Sequence, residues 1–270
     1  MPNRIDGTFK KLRAENRAAF IPYICAGDPT LADTERLAAA LVAAGADVLE
    51  LGVPFSDPLA DGVVNQRASQ RALEGGADVR GVLQTVRDIR TKTQTPIVLY
   101  TYMNPIFQFG WDKFHGAASK SGVDALLILD LPADEEFEPH AEVHHIRLIA
   151  PTTSPDRIRK IVQNARGFLY YVSREGVTGA GGIAQSNVGE NVAAIRGQTS
   201  LPIAVGFGIS TADQARATAQ FADGVVVGSA LVAQIEQNLS APDMPARVGK
   251  FATELASAVH SASSPKSLTP

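Results

Sequence analysis

Eight short runs of aliphatic and β-branched residues alternate along this chain with longer, alanine-rich stretches. The runs fall at Phe20–Cys25, Asp47–Val53, Pro96–Tyr100, Asp124–Leu129, Arg147–Ala150, Gly167–Val172, Pro202–Val205 and Gly224–Val227. Between them lie helical patterns such as Leu31–Ala44, Trp111–Ser121, Ser154–Ala165 and Thr211–Gln220. Ser154 and Thr211 are placed to cap helices, with Asp156 and Asp213 in the first turns. Strands alternating with helices pair in parallel through crossovers. Eight such units point to a (β/α)8 TIM barrel of the α/β class rather than an open doubly wound sheet, here with an extra N-terminal helix and additional short helices. Pro22 weakens the first strand. No Gly-x-Gly-x-x-Gly turn follows that strand, which argues against a dinucleotide-binding fold. One barrel domain over residues 1–260 is expected, with the small, polar tail 261–270 disordered.

Composition narrows the partners. A net charge of −3 gives no electrostatic case for nucleic acid or an anionic membrane. The single Cys25 excludes internal disulfides and a cysteine metal cluster. The N-terminus shows no apolar leader and no run is long enough to span a bilayer, so a cytoplasmic location is expected.

The second run carries a charge where none is comfortable. In an alternating strand Val48, Glu50 and Gly52 point one way and Leu49, Leu51 and Val53 the other, so neither face is polar. A buried, unpaired carboxylate costs several kcal/mol or stays protonated. A lone glutamate in a strand is ordinarily solvated at an edge or paired with arginine. The loop that follows reverses that preference: Phe55-Ser-Asp-Pro-Leu-Ala-Asp61 is rich in turn formers and adds two carboxylates. In a barrel it leaves the C-terminal end, where active sites sit. Glu50 then points to the barrel axis with Val48, in an apolar surround that suits proton transfer near neutral pH.

Glycines mark the other side of that end. Gly176-Val-Thr-Gly-Ala-Gly-Gly182, Gly206-Phe-Gly-Ile-Ser210 and Gly228-Ser-Ala230 follow the last three strands. Close-approaching backbone N–H groups and a helix N-terminus together favour a phosphate. Histidine and lysine are absent from the predicted strand ends. His140, His144 and His145 fall on a predicted solvated helix with Glu138 and Glu142, and the lysines lie on helices or termini. A Schiff-base aldolase or a histidine-ligated metal enzyme therefore lacks its central residue. A C–C lyase on this frame needs acid–base catalysis, no metal, and a substrate that holds its own electrons.

Several segments in order resemble those of the tryptophan synthase alpha chain family: Leu51-Gly-Val-Pro-Phe-Ser-Asp-Pro-Leu-Ala-Asp-Gly62, with Phe20-Ile-Pro-Tyr-Ile-Cys-Ala-Gly-Asp-Pro29, Tyr102-Met-Asn-Pro-Ile-Phe107, Asp130-Leu-Pro132, Ser173-Arg-Glu-Gly-Val-Thr-Gly179, Gly206-Phe-Gly-Ile-Ser210 and Gly228-Ser-Ala230. The resemblance runs to about residue 260. It implies cleavage of indole-3-glycerol phosphate to indole and glyceraldehyde 3-phosphate, the indole ring serving as electron sink. By that resemblance Glu50 is the general acid–base residue and Asp61 holds the indole N1–H. Asp57 and Thr178 couple the second and sixth loops at closure. Gly179, Gly208, Gly228 and Ser229 cradle the phosphate, and Tyr23, Leu99, Tyr102 and Phe207 surround the indole. The chain itself needs no cofactor; pyridoxal phosphate is expected in a partner beta chain of an alpha2beta2 heterotetramer. Pro54, Phe55, Pro58 and Leu59, with Asn104–Phe107, are expected to form an apolar docking rim. Val63 and Gly181-Gly182 depart from the family pattern, the latter implying a more flexible sixth loop.

Three other readings remain on the residues alone. A phosphoribosyl isomerase would use Cys25 and Asp130 as its acid–base pair, leaving Glu50 and Asp61 unexplained. A non-catalytic regulatory barrel would have lost Glu50, Asp61 or the glycines. A free-standing indole-3-glycerol phosphate lyase shares every feature but the partner.

Overall fold

The computed structural model describes residues 3–133, 135, 142–172, 185–206 and 208–262. Eight parallel strands close on themselves in sequence order: β1 (Ala19–Cys25), β2 (Leu49–Gly52), β3 (Ile97–Thr101), β4 (Ala125–Ile128), β5 (His144–Ile149), β6 (Leu169–Val172), β7 (Ile203–Gly206) and β8 (Gly224–Val227). The helices among these residues are α1 (Arg4–Ala14), α2 (Leu31–Ala43), α3 (Val63–Glu74), α4 (Val79–Arg90), α5 (Met103–Phe109), α6 (Trp111–Ser121), α7 (Pro155–Asn164), α8 (Gln185–Arg196), α9 (Ala212–Ala219), α10 (Ser229–Gln237) and α11 (Met244–His260). The expected caps Ser154 and Thr211 accept backbone N–H groups at the starts of α7 and α9, and Thr30 and Asp78 do the same for α2 and α4.

The strands bury both faces, which is why they read as unbroken apolar runs. Ile21, Tyr23, Val48, Val98, Tyr100, Leu127, Ile146, Tyr170, Ala204 and Val226 fill the interior. Alternate residues, including Leu49, Leu51, Leu99, Leu126, Val225 and Val227, face the helices. The register aligns Tyr23 with Glu50, Glu50 with Val98, and Gly52 with Tyr100.

Two expectations fail locally. Pro22 does not break β1. The β1–β8 ladder ends on it, at Pro22 against Val227, and the described β1–β2 register begins one residue later, at Tyr23. The missing N–H thus falls at the margin of a ladder. The predicted helix through His144 and His145 is strand: both belong to β5. Distant partners meet one ring nitrogen of each, since His144 Nε2 lies 3.0 Å from Asp6 and His145 Nε2 lies 2.8 Å from His115 Nε2.

The N-terminal end of the barrel is a closed floor. α1 lays Ile5, Phe9 and Leu12 into the interior core, with Phe9 against Phe168 at 5.4 Å between rings. Three aspartates at strand entrances clamp the preceding strand. Asp47 accepts the Phe20 N–H at 2.8 Å, Asp124 the Ile97 N–H at 2.8 Å and Asp223 the Ile203 N–H at 2.9 Å. Each also meets a basic group: His260 for Asp47, Arg4 and Arg90 for Asp124, Arg196 for Asp223.

Candidate active site

At the opposite end, Glu50 points inward and is 1% exposed. Among the described residues its Oε1 finds no hydrogen-bond partner. Burial, with the Asp61 charge adding to it, pushes the Glu50 carboxyl from 4.5 up to about 8. A carboxyl in that state is protonated at neutral pH and can give a proton away.

Asp61 is also buried, but its oxygens are engaged. Tyr102 donates to Oδ2 at 2.7 Å and Tyr100 to Oδ1 at 2.8 Å, with Asn65 Nδ2 at 3.5 Å from Oδ1. Burial raises the Asp61 carboxyl above its ordinary value, and these donors offset that rise only in part. The loop that carries it is tied at both ends. The Tyr102 hydroxyl accepts the Ala60 N–H at 3.0 Å, and Ser69 on α3 both receives the Phe55 N–H and donates to the Phe55 carbonyl. Gln66 Nε2 donates to the Asp61 carbonyl at 2.9 Å. Two acids therefore share one apolar cup in unlike surroundings, an arrangement that separates a proton donor from a fixed negative charge.

Tyrosines wall the cup. Tyr23 meets Tyr100 edge-on at 4.9 Å, and Tyr170 of β6 is buried with Glu50 and Asp61 as its charged neighbours. Glycines make room for them: a Cβ at Gly52 would fall 2.4 Å from the Tyr23 hydroxyl oxygen, and one at Gly206 2.1 Å from that of Tyr170.

Across the mouth, where the sequence leads one to expect a phosphate, Gly208 has φ +77°, a left-handed conformation that glycine alone adopts freely. Gly228 stands at the N-cap of α10 with no side-chain cap bond, and Ser229 opens the helix, exposed. The first amides of α10 thus face the mouth as an anion-binding end. Thr178, Gly179 and Phe207, with Gly181-Gly182, lie outside the described residues. Asp57 is exposed in the loop after β2, where the Ser56 hydroxyl donates to it.

Leu99 is not part of this cup. It belongs to the layer between barrel and helices, on the face of β3 opposite Val98 and Tyr100. Sequence reasoning missed Tyr100 and Tyr170. Their signal was a tyrosine at the inward parity of a strand that otherwise holds small or aliphatic residues. The Cys25 and Asp130 pair does not assemble: Asp130 is exposed and accepts the Met103 N–H at 2.7 Å at the start of α5, while burial pushes the Cys25 thiol up, away from reactivity. Among the described residues no cluster of histidine, cysteine and carboxylate could hold a metal ion. No helix among them is long and apolar enough to cross a membrane.

A parallel eight-stranded barrel with two buried carboxylates at its C-terminal end and a helix N-terminus beside them has the form of a barrel enzyme whose site suits a small phosphorylated substrate. Its sequence says which. The family model of the tryptophan synthase alpha chain matches residues 9–260, and this chain belongs to that family. The tryptophan synthase alpha chain of Opitutus terrae is 52% identical over 246 residues, covering 89% of this chain and 92% of its own. That of Geobacter sulfurreducens is 48% identical over 262 residues, 95% and 99% of the two chains. Tryptophan synthase subunit alpha from Legionella pneumophila superposes with a TM-score of 0.89 at 39% identity, covering 96% of this chain and 99% of that one.

Proposed function

We propose that Glu50 and Asp61 divide the chemistry of the alpha reaction between them. The chain is a lyase of tryptophan biosynthesis that cleaves indole-3-glycerol phosphate into indole and glyceraldehyde 3-phosphate. The observation that carries the division is the contrast just described: a protonated Glu50 with a bare oxygen, next to an Asp61 held by hydroxyl donors. Glu50 gives its proton to indole C3, and positive charge develops at N1. Asp61 accepts the N1–H and stabilises that charge. The Glu50 carboxylate then takes the proton of the C3′ hydroxyl as the C–C bond breaks, and the bonding electrons return to the indole ring. Glu50 ends protonated, as it began. Neither step uses a cofactor of this chain; pyridoxal phosphate belongs to the family's beta chain.

Backbone amides around Gly179, Gly208, Gly228 and Ser229 hold the phosphate, and Tyr23, Tyr102 and Phe207 stand around the indole. Asp57 and Thr178 join the second and sixth loops on closure. The working unit is the single barrel of residues 1–260.

The family works with a beta chain. The rim of this mouth suits such a partner in an alpha2beta2 assembly. Leu59 is 85%, Val63 63% and Phe107 62% exposed, and the ring of Phe55 against Tyr102 sets the β2–α3 loop beside α5. Of the rim expected from sequence, Pro54 and Ile106 are instead buried. Apolar side chains this exposed at a catalytic mouth favour an interface.

The purified chain incubated with indole-3-glycerol phosphate should release indole slowly. Titration with the beta chain should raise that rate on the order of 10²-fold, since loops placed about 1 Å more accurately gain that much. No indole under either condition would overturn the reading, and full speed without the beta chain would remove the partner from it.

A further inference from the structure

We propose that Tyr100 is a positioning residue that anchors Asp61 to the barrel wall and keeps it in the charged form the reaction needs. The two tyrosines on Asp61 are not equivalent. Tyr102 stands at the N-cap of α5, and its hydroxyl is itself fixed by the Ala60 N–H, one residue from Asp61 in the same loop. It stiffens the loop against its neighbour. Tyr100 lies within β3, its backbone aligned with Gly52 on one side and Leu127 on the other, and its ring is set edge-on against Tyr23. Its hydroxyl is thus the direct link from the Asp61 carboxylate to the strands that also carry Glu50. Sites held by strands are more accurate than sites held by loops.

The surroundings of Asp61 make that donor matter. Facing it are Glu50 from β2, Tyr23 and Cys25 from β1, Tyr170 from β6, Tyr102 beyond β3 and Asn65 from α3. None is a cation. Among the described residues the negative charge rests on O–H and N–H donors, and two of these are within 2.8 Å. Without Tyr100, Oδ1 keeps only the long contact to Asn65. A carboxylate stripped of a donor in a buried site holds its proton to higher pH. A protonated Asp61 cannot receive charge from the indole nitrogen. Tyr100 makes no hydrogen bond to Glu50, so the loss reaches Glu50 only through the Asp61 charge, which is present again on the alkaline side of the profile.

The kinetic arm of this inference rests on the lyase reading above; the titration arm does not. Tyr100→Phe keeps the ring and its contact with Tyr23 but removes the donor. In the complex with the beta chain, the acidic limb of the kcat/KM profile for indole release should move up by about one pH unit, with the alkaline limb in place. The Kd for glycerol 3-phosphate, which reports the phosphate side alone, should not change. A purely structural tyrosine would lower the profile without moving its limbs, and that outcome would overturn the proposal. Carbon-13 NMR titration of the Asp61 carboxyl in the isolated chain gives the same answer without turnover. The midpoint should rise in Tyr100→Phe, and an unmoved midpoint would overturn the proposal even in a chain that releases no indole. Replacement of Tyr100 by 3-fluorotyrosine, a stronger donor of nearly the same size, should move the midpoint down. That opposite sign serves if the phenylalanine variant does not fold.

Discussion

At the floor of the barrel Asp124 is 2% exposed, and its oxygens take hydrogen bonds from Arg4, Arg90 and the Ile97 N–H. At the mouth Glu50 is 1% exposed, and its Oε1 takes none. Both acids sit at inter-strand positions of the same sheet. The floor acid is surrounded by donors, so its charge closes the sheet and fixes α1 beneath it. The mouth acid has an apolar surround and a negative neighbour, so it stays neutral and keeps a movable proton. Burial alone therefore does not tell a structural carboxylate from a chemical one; the donors around it do.

The sharpest test of that contrast is Glu50→Gln. The amide fills the same space and cannot shuttle a proton, and both proton steps pass through this residue. Indole release should fall toward the upper end of the 10²–10⁴ range for lost acid–base catalysis, about 5 kcal/mol in barrier at that end. Turnover within tenfold of the parent would erase the distinction between the two ends.

Asp124→Asn should do the reverse. It leaves Arg90 buried without its counter-charge, while Arg4 is half-exposed and recovers water. Breaking a buried pair costs about 3–5 kcal/mol, and the exposure of Arg4 puts this case near the lower figure. Thermal melting should drop by about 6–12 °C for a chain of this size. The turnover of the folded fraction should stay within a few-fold. A stable variant with lost activity would place chemistry at the floor.

The smallest effect is also the most diagnostic. The folded Glu50 holds its proton to about pH 8, whereas its ordinary value is 4.5. Between those values the folded chain binds a proton that the unfolded chain has released. Its stability therefore declines as pH rises through that window. The Gln variant has no such term. Parent and Glu50→Gln should melt alike near pH 4, with the variant ahead by about 2 kcal/mol at pH 6, since each pH unit climbed above the ordinary value is worth about 1.4 kcal/mol. Denaturant melts across that range read the sign directly, and a parent that gains on the variant as pH rises would place a charged Glu50 in the folded state.

The alternation of strands and helices was legible because parallel strands bury both faces and helices only one. The unsupported charge at Glu50 was legible because nothing near it in sequence answers it. Leu99 and Tyr100 were not separable: in a strand apolar on both faces, a one-residue slip exchanges inside for outside, and only the register decides. β5 was misread at His144 and His145 because their partners, Asp6 and His115, are 138 and 30 residues away. The floor aspartates had a visible signal in Ala46-Asp47, Val123-Asp124 and Ala222-Asp223, each entering a strand, but their acceptor role needs the neighbouring strand. The apolar residues of the loop after β2 looked equivalent as a docking rim, yet the fold buries Pro54 and exposes Leu59.

The tyrosine rings at the mouth and the glycines beside them also set the order in which a lineage can change this site. With Tyr170 in place, a methyl group at Gly206 meets its hydroxyl at 2.1 Å, so that position is closed to every larger residue. Once the tyrosine has shrunk, the glycine is free to grow; the opposite order passes through a blocked intermediate. Tyr23 is tied to two glycines at once: a Cβ at Gly52 would fall 2.4 Å from its hydroxyl, and one at Gly228 would crowd its ring more mildly, at 3.3 Å. Drift at this part of the wall is therefore a matter of sequence in time, and the tyrosine must move first.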